Sequence, residues 1–289
     1  MGRVSGIGWG LGYLGGIPIL LLIVALRGTE FTADDVRFSM LLCGAWTAVF
    51  AIPIFVTLRD RRPDVLPEKI GIAGAYRELF QSIKRVWDNS RHLLYFLIAS
   101  AIFHDGLAGV FTFGAILAGG TFGFSPGEVI IFGIVANVTA GVSTMLFGMM
   151  DDKLGPKNVI MFSLISMVVL GLFFFVHDKG QIVFWICGLL LTVFVGPAQS
   201  ASRSCPARLM PDGQSGEIFG LYATTGRAVS FLSSTAWAVS IGIAIALSGG
   251  GTEDSVQYAG ILGIVIVLFI GLLVLIPVKD PTRTKNLTV

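Results

Sequence analysis

Eight long apolar runs leave this chain few ways to fold. They lie at about 9–26, 38–58, 93–117, 128–150, 159–176, 182–200, 219–248 and 258–278. A helix needs roughly 18–20 apolar residues to cross a hydrocarbon layer of about 30 Å. Inside that layer every backbone polar group must find an internal partner, so such runs fold as helices. The expected fold is an all-α polytopic membrane protein with about eight transmembrane helices. The run at 182–200 is the shortest of the set. The run at 219–248 is too long to lie wholly in hydrocarbon, so part of it must project or tilt. Composition agrees: 54% of residues are apolar and 13% charged, against about 25% charged in a soluble domain. The opening run follows Arg3 as a secretory signal would, but its length and the seven runs behind it favour a retained span.

The charges fall between the runs and set an orientation. With the first residues in the cytoplasm and one crossing per run, sixteen Lys and Arg residues lie on the cytoplasmic side and three on the other. The cytoplasmic set is Arg3, Arg59, Arg61, Arg62, Lys69, Arg77, Lys84, Arg85, Arg91, Lys153, Lys157, Arg203, Arg208, Lys279, Arg283 and Lys285. The opposite set is Arg27, Arg37 and Lys179, and Arg227 stays inside a span. Cytoplasmic loops carry the excess of Lys and Arg, so both termini are expected in the cytoplasm. The acceptor sequence "NLT" at 286–288 then faces the wrong side for glycosylation.

The stretch "GWGLGYLGG" at 8–16 holds Gly10-x-Gly12-x-x-Gly15, the spacing of a dinucleotide loop. Such a loop needs a preceding strand and a βαβ unit around it. Only nine residues precede Gly10, and a membrane-length run follows. Gly8, Gly12 and Gly16 recur every four residues, which stacks them on one helix face where a second helix can approach closely. They are expected to form a packing face. Its expected partners are Gly133, Asn137, Gly141 and Gly148 in the fourth span, and Gly226, Ser230 and Ser234 in the seventh.

Residues 59–91 form the long hydrophilic segment. After the breaker cluster "RDRRPDVLPE", Ile72, Tyr76, Leu79, Phe80, Ile83 and Val86 recur at helical spacing with Arg77, Lys84 and Arg85 among them. This predicts an amphipathic helix on the cytoplasmic membrane surface. It divides the chain into residues 1–58 with two spans, a linker at 59–91, a six-span bundle at 92–278 and a tail at 279–289.

A titratable group within a span is a functional candidate. His104 and Asp105 lie near the middle of the third run. The Asp105 face also carries Ala101, Gly109 and Thr112. Two readings stand for Asp105: a proton-exchanging carboxylate, or a structural group bonded to a neighbouring helix. His104 and the amide of Asn137 join it as candidates for substrate or proton coupling. Arg227 reads as a gate, or as a cation in an ion pair near the interface. Cys43, Cys187 and Cys205 show no disulfide or metal spacing, and His92, His104 and His177 are scattered. No cofactor, metal or nucleic-acid partner is expected, and no catalytic constellation appears.

Three stretches carry a resemblance. "FGMMDDKLGPKN" resembles the gating loop G-x-x-x-D-[RK]-x-G-[RK]-[RK] of the major facilitator superfamily, through Gly148, Asp152, Lys153, Gly155 and Lys157; Pro156 stands where a basic residue is usual. In physical terms Asp152 can cap a neighbouring helix N-terminus while the cations face the cytoplasm. "GRVSGIGWGLGYLGG" and "GPAQSASRSCPARLMPDGQSGEIFGLYATTGR" resemble the vacuolar effluxer family associated with autophagy and its bacterial relatives. With "HDGLAGVFTFGA" the resemblance covers nearly the whole chain.

The resemblance implies a secondary active transporter of small solutes working by alternating access, with amino-acid efflux as the activity of the fungal members. It makes Asp152 the gate residue with Arg227 as its partner, and adds Arg203, Arg208 and Glu217 as gate or ion-pair residues. It places the protein in the plasma (inner) membrane if bacterial and the vacuolar membrane if fungal. Superfamily members have twelve spans in two halves, so this chain would hold two spans of the first half and all six of the second, without the first four. Its partners are then the lipid bilayer, a solute, a proton, and the missing helices or another copy of the chain. The rival reading is a non-transporting membrane protein that uses the bundle for assembly or partner binding.

Overall fold

The computed structural model describes residues 1–28, 31–57, 71–177, 180–210, 215–248 and 256–279. The breaker cluster, Lys69, Lys179, Arg283, Lys285 and the sequence at 286–288 lie outside these. The helices are α1 Gly2–Gly15, α2 Ile17–Arg27, α3 Ala33–Thr57, α4 Ile72–Asn89, α5 Arg91–Gly120 and α6 Pro126–Leu154. They continue with α7 Pro156–Val176, α8 Gln181–Leu209, α9 Ser215–Ala228, α10 Leu232–Leu247 and α11 Gly260–Leu275, the last entered through a short 3-10 turn, Gln257–Ala259. No strand occurs among the described residues. Eight helical stretches are long and apolar enough to span a membrane, with α1–α2 and α9–α10 each making one. The chain is an all-α multi-pass membrane protein.

Helix ends follow local chemistry. Ser125 and Glu128 form a reciprocal capping box at the start of α6, and Pro126 fills its first turn; together they satisfy orphan N–H groups and remove one. Between α6 and α7 the turn is a single residue. Gly155 takes φ 87° there, a backbone region open to glycine at little cost, and Pro156 opens α7. The glycine of the loop motif is thus a turn residue, and Pro156 departs from the motif because it starts a helix.

The core lies among α5, α7, α8, α10 and α11, where Phe96, Phe103, Leu107, Leu164, Val195 and Leu268 are all buried. A smaller cluster joins Val86 of α4 to Leu93, Leu97, Ile218 and Leu221. The amphipathic α4 therefore docks part of its apolar face on α5 and α9, while Tyr76 and Phe80 stay exposed. By contrast α3 has no buried residue, and Leu41 and Phe55 are open.

Two spans differ from expectation. The run at 182–200 continues as helix to Leu209; its second half is polar in sequence, yet Ser200, Ser202 and Ser204 are buried against neighbours. The seventh span is broken, with residues 229–231 separating α9 from α10. The break, and not a projecting end alone, accommodates its excess length.

The expected glycine face is corrected in register. Gly8 and Gly12 are exposed, and a Cβ on Gly8, Gly12, Gly133 or Gly226 would meet no atom within 4 Å. Gly16 sits at the joint between α1 and α2, and a Cβ there would meet nothing nearer than the Tyr13 carbonyl of its own turn, at 3.6 Å. The face that packs is Gly2, Gly6 and Gly10, all buried. A Cβ on Gly6 would lie 2.8 Å from the Gly148 Cα, and one on Gly10 2.8 Å from the Gly141 carbonyl. Both sets have the same period of four. Periodicity alone does not say which of two opposed stripes meets the neighbour.

Candidate functional site: a polar seam between four helices

At the basic end of the bundle, α1 stands on α6. The Asp152 carboxylate accepts the backbone N–H groups of Gly2 and Arg3, both at 2.9 Å. It thereby caps α1, where a negative charge is favoured by free N–H groups and the helix dipole. Its side-chain partner is Arg208 of α8, whose Nη2 lies 2.9 Å from Asp152 and 3.1 Å from Asp151. The expected partner, Arg227, is exposed and forms no ion pair among the described residues. The reason is geometric. Arg227 lies at the end of α9 beside the helix break, whereas Arg208 lies in the last turn of α8 against α6.

Asp151, which the sequence reading passed over, is the more deeply placed of the pair. Its side chain is 1% exposed, and it accepts the Ser204 hydroxyl. Only the doubled aspartate in "MMDDKLG" hints at it. The remaining loop residues separate in role. Gly148 meets Gly6 backbone to backbone. Lys153 is exposed in the last turn of α6, where a cation suits the helix C-terminus. Lys157 donates to the Ile276 carbonyl at 2.7 Å. Glu217 pairs with Arg85 at 2.9 Å and ties α9 to α4.

Further inside, a polar seam runs between α1, α5, α8 and α9. Gln199 Oε1 accepts both the Trp9 indole N–H at 2.9 Å and the Tyr13 hydroxyl at 2.5 Å. The Ser5 hydroxyl donates to the Ser200 carbonyl at 2.9 Å. The Arg203 guanidinium lies over the Trp9 ring, 4.9 Å from its centroid. His104 Nε2 is 2.6 Å from the Ser202 hydroxyl and 2.9 Å from the Tyr222 hydroxyl, and those hydroxyls are 2.9 Å apart.

Proton counting orders this triangle. The single Ser202 hydrogen can go to the Gln199 backbone carbonyl at 2.7 Å. In that arrangement Tyr222 and His104 donate to Ser202; with the Ser202 hydrogen on His104 Nε2 instead, Tyr222 alone donates to Ser202. In either arrangement His104 Nδ1 has no hydrogen bond among the described residues. The aromatic members were legible as apolar filler only, because Trp9 and Tyr13 read as parts of a membrane run.

Asp105, adjacent in sequence to His104, points elsewhere. It is 7% exposed, and its Oδ2 accepts the backbone N–H of Ser233, in the first turn of α10. A Cβ on Gly109, one turn on, would lie 2.9 Å from the Ser233 Cβ. The structural reading is the geometry present: Asp105 fastens the half-helix that begins after the break. His104 and Asp105 do not form one site.

Asn137 lies apart from both. It donates to the Gly133 carbonyl of its own helix at 2.8 Å and lines a cavity of about 320 Å³ with Leu20, Phe111, Met167, Thr192 and Leu268. Tyr13 connects the regions, for its ring lies 6.2 Å from that of Phe111. No cluster of three or more His, Cys, Asp or Glu residues that could hold a metal occurs among the described residues.

A bundle of membrane-length helices, with a capped contact between α1 and α6 and a polar seam between spans, defines a multi-pass helical membrane protein. Residues 1–279 match the family described as "Vacuole effluxer Atg22 like", and the chain belongs to that family. It is 24% identical over 98% of its length to the Bacillus subtilis (strain 168) protein named "Uncharacterized MFS-type transporter YxiO", of which the match covers 65%. It is 28% identical over 81% of its length to Autophagy-related protein 22 of Cryptococcus neoformans var. neoformans serotype D (strain B-3501A), covering 46% of that protein. Autophagy-related protein 22-2 of Aspergillus clavatus is 26% identical over 79% of the chain and is covered to 41%. The chain thus spans less than two thirds of the length of these relatives.

Proposed function

We propose that the chain is part of a secondary active transporter, not an enzyme, that moves small solutes across the bilayer by alternating access. The observation that carries the reading is the polar seam of Trp9, Tyr13, His104, Gln199, Ser202 and Tyr222, set between four spans where uncommitted polar groups are costly. Family membership supports it. Efflux follows the name carried by the family, and amino acids are the solute class that the sequence resemblance implies.

In this reading residues 1–58 belong to one half of the transporter, 59–91 to the linker and 92–278 to the second half, with both termini cytoplasmic. The gating loop, Gly148 to Lys157, latches the basic end closed through Asp152, Gly2, Arg3 and Arg208. Asp105 is the proton-linked group. Neutralising it would weaken its hold on Ser233 and free the start of α10, so the broken seventh span is the element that moves. His104 and Asn137 serve the solute path.

Proteoliposomes loaded with labelled amino acids test the activity: counterflow above protein-free vesicles is expected, and its absence for every solute class sinks the reading. Asp105→Asn keeps a hydrogen-bond acceptor and loses the charge. It is expected to flatten the pH dependence of flux, and an unchanged dependence would rule out the proton role.

One observation favours a second reading. The open faces of α3, with no buried residue, suit assembly with further helices or another copy of the chain. A bundle that self-associates and shows no flux would favour a non-transporting membrane scaffold.

A further inference from the structure

We propose that Arg203, laid over Trp9, recognises an anionic group, a carboxylate, on the solute; this rests on the transport reading above. Arg203 sits about 9 Å before the end of α8, at 1.5 Å per residue. Two arginines of this end have carboxylates: Arg208 has Asp151 and Asp152, and Arg85 has Glu217; Arg91 rests on the Trp87 ring without one, but outside the seam. Arg203 has none among the described residues, and it remains exposed.

Its position is nevertheless fixed. The guanidinium rests on the Trp9 ring, and that ring is pinned by its N–H bond to Gln199. Stacking on an aromatic face holds an arginine without using its hydrogen-bond donors. Five N–H groups therefore stay available in a planar fork, the geometry that takes a carboxylate with two parallel bonds. A mobile surface arginine would turn to water or headgroups, and nothing would pin the ring beneath it.

The neighbours favour negative charge as well. Arg203 follows Ser202, whose hydroxyl contacts both His104 and Tyr222 in the seam. Gln199 Oε1 already accepts two donors, so it has little left to offer an ammonium group. The Asp105 carboxylate is turned away to Ser233. Among the described residues the seam thus holds one permanent cation and no carboxylate to offset it. An anionic solute group supplies the missing charge, while Tyr13 and the open Nδ1 of His104 flank its remainder.

The test uses the chain in phosphatidylcholine proteoliposomes with matched acids and amides: propionate and propionamide, phenylacetate and phenylacetamide, N-acetyl-L-leucine and its amide. Each is scored as a competitor of counterflow and as a stabiliser against heat. At least one acid is expected to act tenfold or more below the concentration of its amide. Arg203→Gln should bring acid and amide level, and Arg203→Lys should restore part of the difference, which also controls for folding. Trp9→Phe should keep the preference and Trp9→Ala should weaken it.

Acids and amides acting alike in the wild-type chain, or an acid preference that survives Arg203→Gln, overturns the assignment. If vesicles with phosphatidylglycerol abolish the acid preference through Arg203, the cation belongs to a lipid phosphate and the assignment also fails. Flux without acid preference sinks this inference and leaves transport standing. Acid-selective stabilisation without flux does the reverse.

Discussion

The two ends of the bundle interior are built on opposite terms. At the basic end α1 and α6 meet backbone to backbone at Gly6 and Gly148, and Asp151 and Asp152 of α6 are engaged with Ser204 and Arg208 of α8. Toward the other end α2, α5, α6, α7, α8 and α11 surround a cavity of about 320 Å³, whose wall is apolar but for Asn137 and Thr192. One end is fastened by directional bonds and a fit with no spare room. The other is held by side chains that can shift. The transport proposed above would use both: a contact that makes and breaks as a unit, and a volume that adapts. Packed contacts resist small deformations, so the fastened end is suited to two discrete arrangements.

The contrast predicts unequal responses to substitution. Arg208→Leu should have the largest effect. It strands Asp151, 1% exposed, with the Ser204 hydroxyl as its side-chain support. Breaking a buried pair by removing one partner costs about 3–5 kcal/mol. Thermal unfolding in detergent should show it, and Asp151→Asn added to Arg208→Leu should recover part of the loss. A double variant no more stable than the single would mean that the buried charge is not what hurts.

Next comes Gly6→Leu. The new side chain would meet the Gly148 Cα and the Thr144 carbonyl, each 2.8 Å from its Cβ, so α1 must lift from α6. Overpacking of this kind costs about 1–3 kcal/mol. Gly8→Leu, with no atom within 4 Å, should change stability by under about 0.5 kcal/mol. Equal losses at the two positions would contradict the register found here.

These two glycines also show how far the sequence could be read. Hydrophobic run length set the number of spans, because the bilayer imposes it from outside. The loop motif placed Asp152 near a helix N-terminus, because carboxylate and free N–H groups attract over short distance. What failed depended on rotation and reach. The stripes Gly2–Gly6–Gly10 and Gly8–Gly12–Gly16 share a period, and their azimuth is set by α6. Arg208 and Arg227 are both cations near one end, and the path of α8 decides which meets Asp152. The triangle of His104, Ser202 and Tyr222 brings together residues on three helices, none with a local signature. The polar second half of α8 ended the apolar run early, since hydropathy does not register serines that are buried by bonding to a neighbouring helix.

Filling the soft end should cost less than breaking the fastened one. Gly133 lines the cavity and a Cβ there would touch nothing within 4 Å. Gly133→Leu should therefore shift stability by no more than about 1 kcal/mol, with filled volume offsetting lost adaptability. In the transport reading proposed above, its effect should fall on flux, as a slowed counterflow rate at unchanged thermal stability. A loss of stability as large as that of Arg208→Leu would mean the cavity wall is as rigid as the latch, and the comparison would fail.

The smallest effect belongs to the pair that ties α4 to α9. Arg85 and Glu217 are 2.9 Å apart, with side chains 57% and 32% exposed. Exposed pairs contribute roughly 0–1 kcal/mol and weaken with salt. Glu217→Gln should thus lower stability by about 0.5 kcal/mol or less in dilute buffer, and the difference should vanish at high salt. The apolar contact of Val86 with Leu93, Leu97, Ile218 and Leu221 holds α4 in place regardless of the pair. Val86→Ala should accordingly exceed Glu217→Gln in the loss of protease protection of α4. The opposite order would make the ion pair, and not the apolar face, the attachment of α4 to the bundle.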